Sequence, residues 1–265
     1  MRFMRKTMAI LLIAGLLASL SGCAGSGQAK PQLIIGCNEY APYNYTDEDG
    51  DPAGMDVELA WEACARMGYE PVFRRIDWEQ RDALLEAGEI DCLWSCYSMD
   101  GQLERYAWVG PYMNSRQVVA VLSDSPIETL SDLAGKSVAV RVGSKAETIF
   151  LEQSELGIPQ VQVVYSLNTS SEIATALRNN YVDAVAGYGA AVREALNYGG
   201  ADYRFLEEEP SHAALGIAFA LGSGSQVREN LRQALKEMLE DGTTARILTE
   251  YGVDIEKALG RIHYA

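Results

Sequence analysis

From about residue 31 onward, short β-branched runs alternate with amphipathic helical stretches, and this alternation limits the possible folds more than any other feature of the chain. Strand-like runs lie at Leu33–Cys37, Pro71–Arg75, Asp91–Tyr97, Ser137–Arg141, Val161–Tyr165 and Asp183–Gly187. Between them, Met55–Met67 places Leu59, Ala63 and Met67 on one helical face, and Trp78–Ala87, Lys145–Gln153 and Ser171–Asn179 have similar spacing. Strands that alternate with helices of this length build βαβ units and parallel sheets. The pattern runs through twice, so it predicts two α/β lobes. A β-branched run, Asn114–Leu122, closes the first unit and a similar one, His212–Leu221, closes the second. After the second run, Gln226–Glu240 carries Val227, Leu231, Leu235 and Met238 on one side, which predicts a helix that returns to the first lobe. Two crossings make a hinge, and a hinge between lobes makes a cleft. The expected division is 31–114 for lobe one, 115–211 for lobe two, and 212–265 for the second crossing and the return.

The first residues, MRFMRKTMAILLIAGLLASLSGC, place Arg2, Arg5 and Lys6 before an apolar run from Met8 to Leu20. About 13 apolar residues are too few to cross a hydrocarbon core roughly 30 Å thick, so 1–22 reads as an export signal. Leu20-Ser21-Gly22-Cys23 resembles the lipobox of bacterial lipoproteins, which implies lipidation of Cys23. The plainer alternative is a secretory signal with Cys23 incidental. The small polar stretch that follows makes 23–30 a flexible tether. Formal net charge is −15, and cleavage before Cys23 would remove basic residues only. Such a surface repels phosphate backbones and anionic lipid. Nucleic acid is therefore excluded as a partner, and membrane attachment would come from the lipid alone.

Cys37, Cys64, Cys92 and Cys96 match no zinc spacing, and the two histidines, His212 and His263, stand far from them. Cys92 and Cys96 on one strand would lie roughly 13 Å apart, too far to bridge each other. A bridge from Cys37 to a neighbouring strand stays open, and buried free thiols are the simpler expectation. Neither a metal nor a cofactor is expected.

An ordered set of short motifs runs through the chain: Tyr40-Ala41-Pro42-Tyr43-Asn44-Tyr45, Gly54-Met55-Asp56-Val57-Glu58-Leu59, Gly88-Glu89-Ile90-Asp91 and Gly110-Pro111-Tyr112. Asp132 to Val140, Gly143-Ser144, Val182-Asp183-Ala184-Val185, Gly216-Ile217-Ala218-Phe219 and Asp241-Gly242-Thr243 follow. Together, over about residues 31 to 253, they resemble the family-3 extracellular solute-binding proteins of bacterial amino-acid ABC transporters. The resemblance implies an α/β, two-lobed, type II periplasmic-binding-protein fold, with a mostly parallel sheet flanked by helices in each lobe and two hinge crossings. Open α/β sheets bind ligands beyond the carboxyl ends of their strands. Ser144 stands between a strand and a helix, where its hydroxyl, the exposed amides and the helix dipole can seat an anion. An N-cap is its simpler role.

The chain departs from the family pattern at both charged anchors. The family's carboxylate-binding arginine falls at Gln102 counting back from Pro111, or at Leu103 counting forward from Asp91, and neither count reaches Arg105. Tyr188 stands where the ammonium-binding acid is expected. Dehydrating a zwitterion needs charge or hydrogen bonds in return, which Gln102 and Tyr188 can supply only as hydrogen bonds. Either Arg105 and Arg141 replace the missing cation from new positions, or the ligand is a different polar or aromatic molecule gripped by rings and amides. Tyr40 and Trp78 match positions whose rings sandwich the ligand. Tyr97 precedes Ser98, a matched hydroxyl position, and Cys96 is expected to contribute backbone. Trp94 reads as core.

The expected function is a lipid-anchored extracytoplasmic binding protein, monomeric and without a catalytic task, that delivers a small polar solute to an ABC permease. A ligand-sensing receptor module is one alternative. A dehydratase on the same scaffold is another, with Glu39 as its candidate acid–base group.

Overall fold

The computed structural model describes residues 29–152, 157–260 and 262. The apolar run Leu33-Ile34-Ile35 lies in β1 (Gln32–Cys37), and a two-residue hairpin, β2 (Tyr45–Thr46) with β3 (Pro52–Ala53), leads into α1 (Met55–Met67). Helix α1 buries Leu59, Ala60, Ala63 and Cys64, the face its spacing predicts, and stops at Gly68 in the left-handed conformation that glycine tolerates. Next comes β4 (Glu70–Arg75), then a single 3₁₀ turn at Trp78–Gln80 capped by Asp77, then α2 (Arg81–Glu86). The expected helix at 78–87 is thus a turn plus a short helix. Strand β5 (Cys92–Ser98) completes a parallel group in the order β4-β1-β5.

Strand β6 (Ala107–Leu122) has 16 residues and starts well before the expected crossing. Lobe two follows as β7 (Ser137–Arg141), α3 (Lys145–Glu152), β8 (Val163–Leu167), α4 (Ser170–Arg178), β9 (Ala184–Tyr188), α5 (Gly189–Gly199) and β10 (Tyr203–Phe205). The β8 strand sits two residues later than its sequence pattern suggests, in parallel register with β7 from Ser137↔Val163 to Arg141↔Leu167. The chain returns through β11 (Ser211–Phe219) to α6 (Ser225–Glu240), α7 (Thr243–Glu250) and α8 (Ile255–Leu259). Helix α6 packs on α1 and on β6, so it lies against lobe one.

One continuous sheet joins the lobes, in the order β4-β1-β5-β11-β6-β9-β7-β8, with β10 beside β6. The first part of β6 pairs antiparallel with β11 (Ala107↔Phe219 to Gln117↔Ser211), and the second part pairs with β9 (Gln117↔Tyr188 to Ala120↔Val185). Gln117 is therefore the residue at which the strand passes from one lobe to the other. Trp94, Tyr43, Leu59 and Leu235 share the core of lobe one. In lobe two, Val138, Val140 and Ile149 pack on one side of the sheet, and Ala139, Leu177 and Leu196 on the other. Burial on both faces explains why the β7 and β9 runs are apolar without alternation.

Candidate functional site

The carboxyl ends of β1, β5, β7 and β9 meet around a cavity of about 350 Å³. Tyr40, just past β1, borders it, as does Trp78, in the turn after β4. The end of β5 contributes Cys96, Tyr97 and Ser98, and the turn beyond contributes Gln102. From lobe two come Arg141 at the end of β7, Ser144 at the start of α3 and Tyr188 at the end of β9. The structure brings all nine residues to one cavity. Each stands at a strand end or in the turn that follows, which is where the sheet geometry opens a crevice.

The wall from lobe one is set by hydrogen bonds. Cys96 has φ 51, an uncommon left-handed conformation for a side-chain-bearing residue. Its amide donates to Asp56 Oδ2 at 2.7 Å, while Tyr112 donates to Oδ1 at 2.9 Å and Asn44 Nδ2 to Oδ2 at 3.1 Å. Burial raises the Asp56 carboxyl to about 7, although these three donors pull it back toward the ionised form. The next side chain, Tyr97, meets Trp78 edge-on at 5.1 Å, and its hydroxyl lies 2.8 Å from Gln102 Oε1 and 3.0 Å from the Tyr106 hydroxyl, which share its one proton. The Tyr97 hydroxyl accepts from Arg81 Nε at 3.3 Å. Ser98 Oγ lies 3.2 Å from Asp100 Oδ2, and Asp100 also borders the cavity.

Sequence reasoning missed Arg81. Its Nη1 donates to the Trp78 carbonyl at 2.7 Å and its guanidinium lies over the Trp78 ring at 5.5 Å. The available signal was spacing, because Arg81 follows Trp78 by three residues, about one helical turn. Arg105, considered as a replacement cation, lies off this cavity. It is exposed and paired with Asp82, which also accepts from Tyr106.

On lobe two, Arg141 reaches across to lobe one. It donates to the backbone carbonyl of Glu39 and lies over the Tyr40 ring, so it spans the two lobes. Ser144 acts as an N-cap: its Oγ accepts from the Glu147 amide at 3.2 Å, while Gly143 N–H donates to Glu147 Oε2 at 2.6 Å. Glu147 thereby fills the anion seat expected there. Tyr188 is buried against Tyr40 and Tyr43, with centroids 6.4 and 6.0 Å away. Tyr40 and Tyr188 border the cavity, and Tyr43 packs behind them in the core of lobe one. Glu39 turns its carboxylate outward, accepting from Thr46 N–H at 2.9 Å and pairing with Arg75 at 3.3 Å. Cys37, Cys64, Cys92 and Cys96 are free and buried, so the bridge left open for Cys37 does not form. Cys23 lies outside the described residues.

Residues 33–254 match the sequence profile of the bacterial extracellular solute-binding proteins, family 3. The chain belongs to this family. The arginine-binding extracellular protein of Bacillus subtilis (strain 168) is 26% identical over 252 residues, covering 92% of this chain and 96% of that one. The histidine-binding periplasmic protein of Escherichia coli (strain K12) is 27% identical over 256 residues, covering 91% of this chain and 96% of that one. Among solved structures, an ancestral arginine-binding protein bound to arginine superposes with a TM-score of 0.72 at 26% identity, over 84% of this chain and 99% of the other. As a family-3 binding protein the chain has the two-lobed α/β architecture its motifs imply. Its cavity carries Arg81, Arg141 and Lys145 against Glu79 and Asp100, a lining suited to a polar and charged solute.

Proposed function

We propose that this chain is the substrate-binding protein of an amino-acid ABC importer. It captures a small amino acid or amino-acid-like molecule between its lobes and delivers it to a permease. The observation that carries this reading is the single cavity at the carboxyl ends of strands from both lobes, on either side of the β6 crossing. Tyr40, Trp78, Cys96, Tyr97, Ser98, Gln102, Arg141, Ser144 and Tyr188 are its proposed ligand contacts, and Arg81 joins them. A ligand that touches both lobes favours the closed arrangement through its differential affinity for it. Relatives named for arginine, histidine and L-cystine support amino acids as the class to test first.

In this reading, residues 1–22 are removed on export, Cys23 carries the lipid, 23–30 is the tether, and the protein acts as an anchored monomer outside the cytoplasm. Residues 31–114 and 212–265 form lobe one, and 115–211 form lobe two. Titration calorimetry with the twenty common L-α-amino acids and L-cystine should give a saturable signal for at least one. A folded protein that binds none of them would sink the amino-acid reading. For the anchor, Cys23→Ser should move the protein from the membrane fraction to the soluble extracytoplasmic fraction.

A further inference from the structure

We infer that the anionic group of the solute, a carboxylate, is held by Arg81 and Gln102 together, in lobe one. This deepens the amino-acid reading and rests on it. Among the described residues, three cations border the cavity: Arg81, Arg141 and Lys145. Arg141, from lobe two, commits Nη2 to the Glu39 carbonyl and its face to the Tyr40 ring. Lys145 is engaged within the protein. At the start of α3 the anion seat is filled by the Glu147 carboxylate, which accepts from Gly143 N–H at 2.6 Å. Arg81 is different. Two of its nitrogens are tied, Nε to the Tyr97 hydroxyl and Nη1 to the Trp78 carbonyl, and Nη2 makes no hydrogen bond among the described residues. No carboxylate there lies within ion-pair distance of it.

Tyr97 joins this cation to Gln102. Its hydroxyl accepts from Arg81 Nε at 3.3 Å and lies 2.8 Å from Gln102 Oε1 and 3.0 Å from the Tyr106 hydroxyl, which share its one proton. The Nε2 donors of Gln102 have no partner among the described residues, and Gln102 borders the cavity. Two unspent donor groups, one charged, thus flank one fixed hydroxyl on the cavity wall. A guanidinium tied at two nitrogens, 5.5 Å from the Trp78 centroid and 6.0 Å from that of Tyr97, is restricted before a ligand arrives. Planar donors in a fixed arrangement match the two oxygens of a carboxylate. Gln102 therefore keeps a role as a neutral second donor, and the charge enters from the helix beside it.

The test is titration calorimetry with the twenty common L-α-amino acids and their α-carboxamides, on wild type, Arg81→Gln, Arg81→Lys and, as an off-site control, Arg105→Gln. For the best-binding acid, Arg81→Gln should lose about 100-fold in affinity and Arg81→Lys about tenfold, because a lysine keeps charge without the fork. Wild type should discriminate against the matching carboxamide by a similar factor. Arg81→Gln should bind acid and carboxamide about equally, and Arg105→Gln should match wild type. Arg81→Gln affinity within threefold of wild type, or an undiminished preference of Arg81→Gln for the acid, would overturn the assignment. If Arg81→Gln does not fold, an unchanged acid preference in Arg81→Lys overturns it equally. If wild type binds none of the acids, the amino-acid reading fails first, and the inference fails with it.

Discussion

Arg141 in lobe two donates a hydrogen bond to the backbone carbonyl of Glu39 in lobe one and holds its guanidinium carbon 4.9 Å from the centroid of the Tyr40 ring. Both contacts exist only while the lobes are together, so they favour closure without any ligand. A hydrogen bond from a charged donor contributes about 1.5–3 kcal/mol, and an exposed cation–π contact about 0.5–1 kcal/mol. Arg141→Ala should therefore shift the free protein toward the open form. Small-angle scattering of the ligand-free variant should show a larger radius of gyration than wild type. Solute affinity should fall about tenfold, since a ligand must then supply the closing energy itself. Equal radii and affinities within twofold would mean that the contact does not hold the lobes.

The four described cysteines give a second expectation. Cys37, Cys64, Cys92 and Cys96 are buried and unbonded, and burial pushes the Cys37 thiol up to about 11 and the Cys64 thiol up to about 12. The thiolate is the reactive species, so at pH 8 these groups should resist an aromatic disulfide reagent in native protein and all four should react after unfolding. Cys96 alone of the four borders the cavity. Any slow native reaction should fall there and should slow further when solute is bound. Prompt labelling of Cys64 or Cys92 in native protein would contradict the packing around α1 and β5. The measurement needs a Cys23→Ser background so that the first cysteine does not contribute.

Much of this architecture was legible because it is written locally. Period-two and helical spacing survive in short windows, and the cavity residues sit where strands end, which sequence patterns also mark. Long-range partners were not legible. Arg141 meets a carbonyl 102 positions away, and Arg81 owes its place to a hydroxyl 16 positions on. The Ser144 turn was readable as both an anion seat and a cap. Only Glu147, folding back on Gly143, decides for the cap. Helix α5 has a weak sequence signal because it opens with glycine directly after β9 and half of its buried face, Ala191, Val192, Ala195 and Leu196, is alanine.

Gly54 shows why one sequence motif needs its glycine. It has φ 116, and a Cβ added there would lie 2.4 Å from the Tyr43 carbonyl oxygen and 2.8 Å from that of Pro42. Both obstacles are backbone, and both carbonyls also accept from the first amides of α1, Met55 N at 2.9 Å and Asp56 N at 3.0 Å. Relief by side-chain rotation is therefore closed. Gly54→Ala should destabilise the protein by about 3 kcal/mol or more, read as a lower urea midpoint. A change under about 1 kcal/mol would mean that the loop before α1 can shift without loss.

Asp56 provides a pH-dependent prediction. Burial raises its folded carboxyl from 3.8 to about 7, against the opposing pull of Tyr112, the Cys96 amide and Asn44. The unfolded chain releases this proton near 3.8, whereas the native protein keeps it until about 7. Between those values the native state binds more protons, so the Asp56 contribution is full below the lower value and declines as pH rises. Above about 7 it is gone. Asp56→Asn removes the titration while keeping an acceptor for the Cys96 amide, and the buried Asn44 Oδ1, which lacks a partner, can accept from the new amide. The stability of the variant relative to wild type should therefore improve by about 3 kcal/mol from pH 4.5 to pH 8. Urea unfolding at the two pH values measures it directly, and subtracting wild type cancels the other titrating groups. A constant difference would show that the three donors keep Asp56 ionised through the whole range. In that case Cys96 is held at the cavity wall by a charged carboxylate.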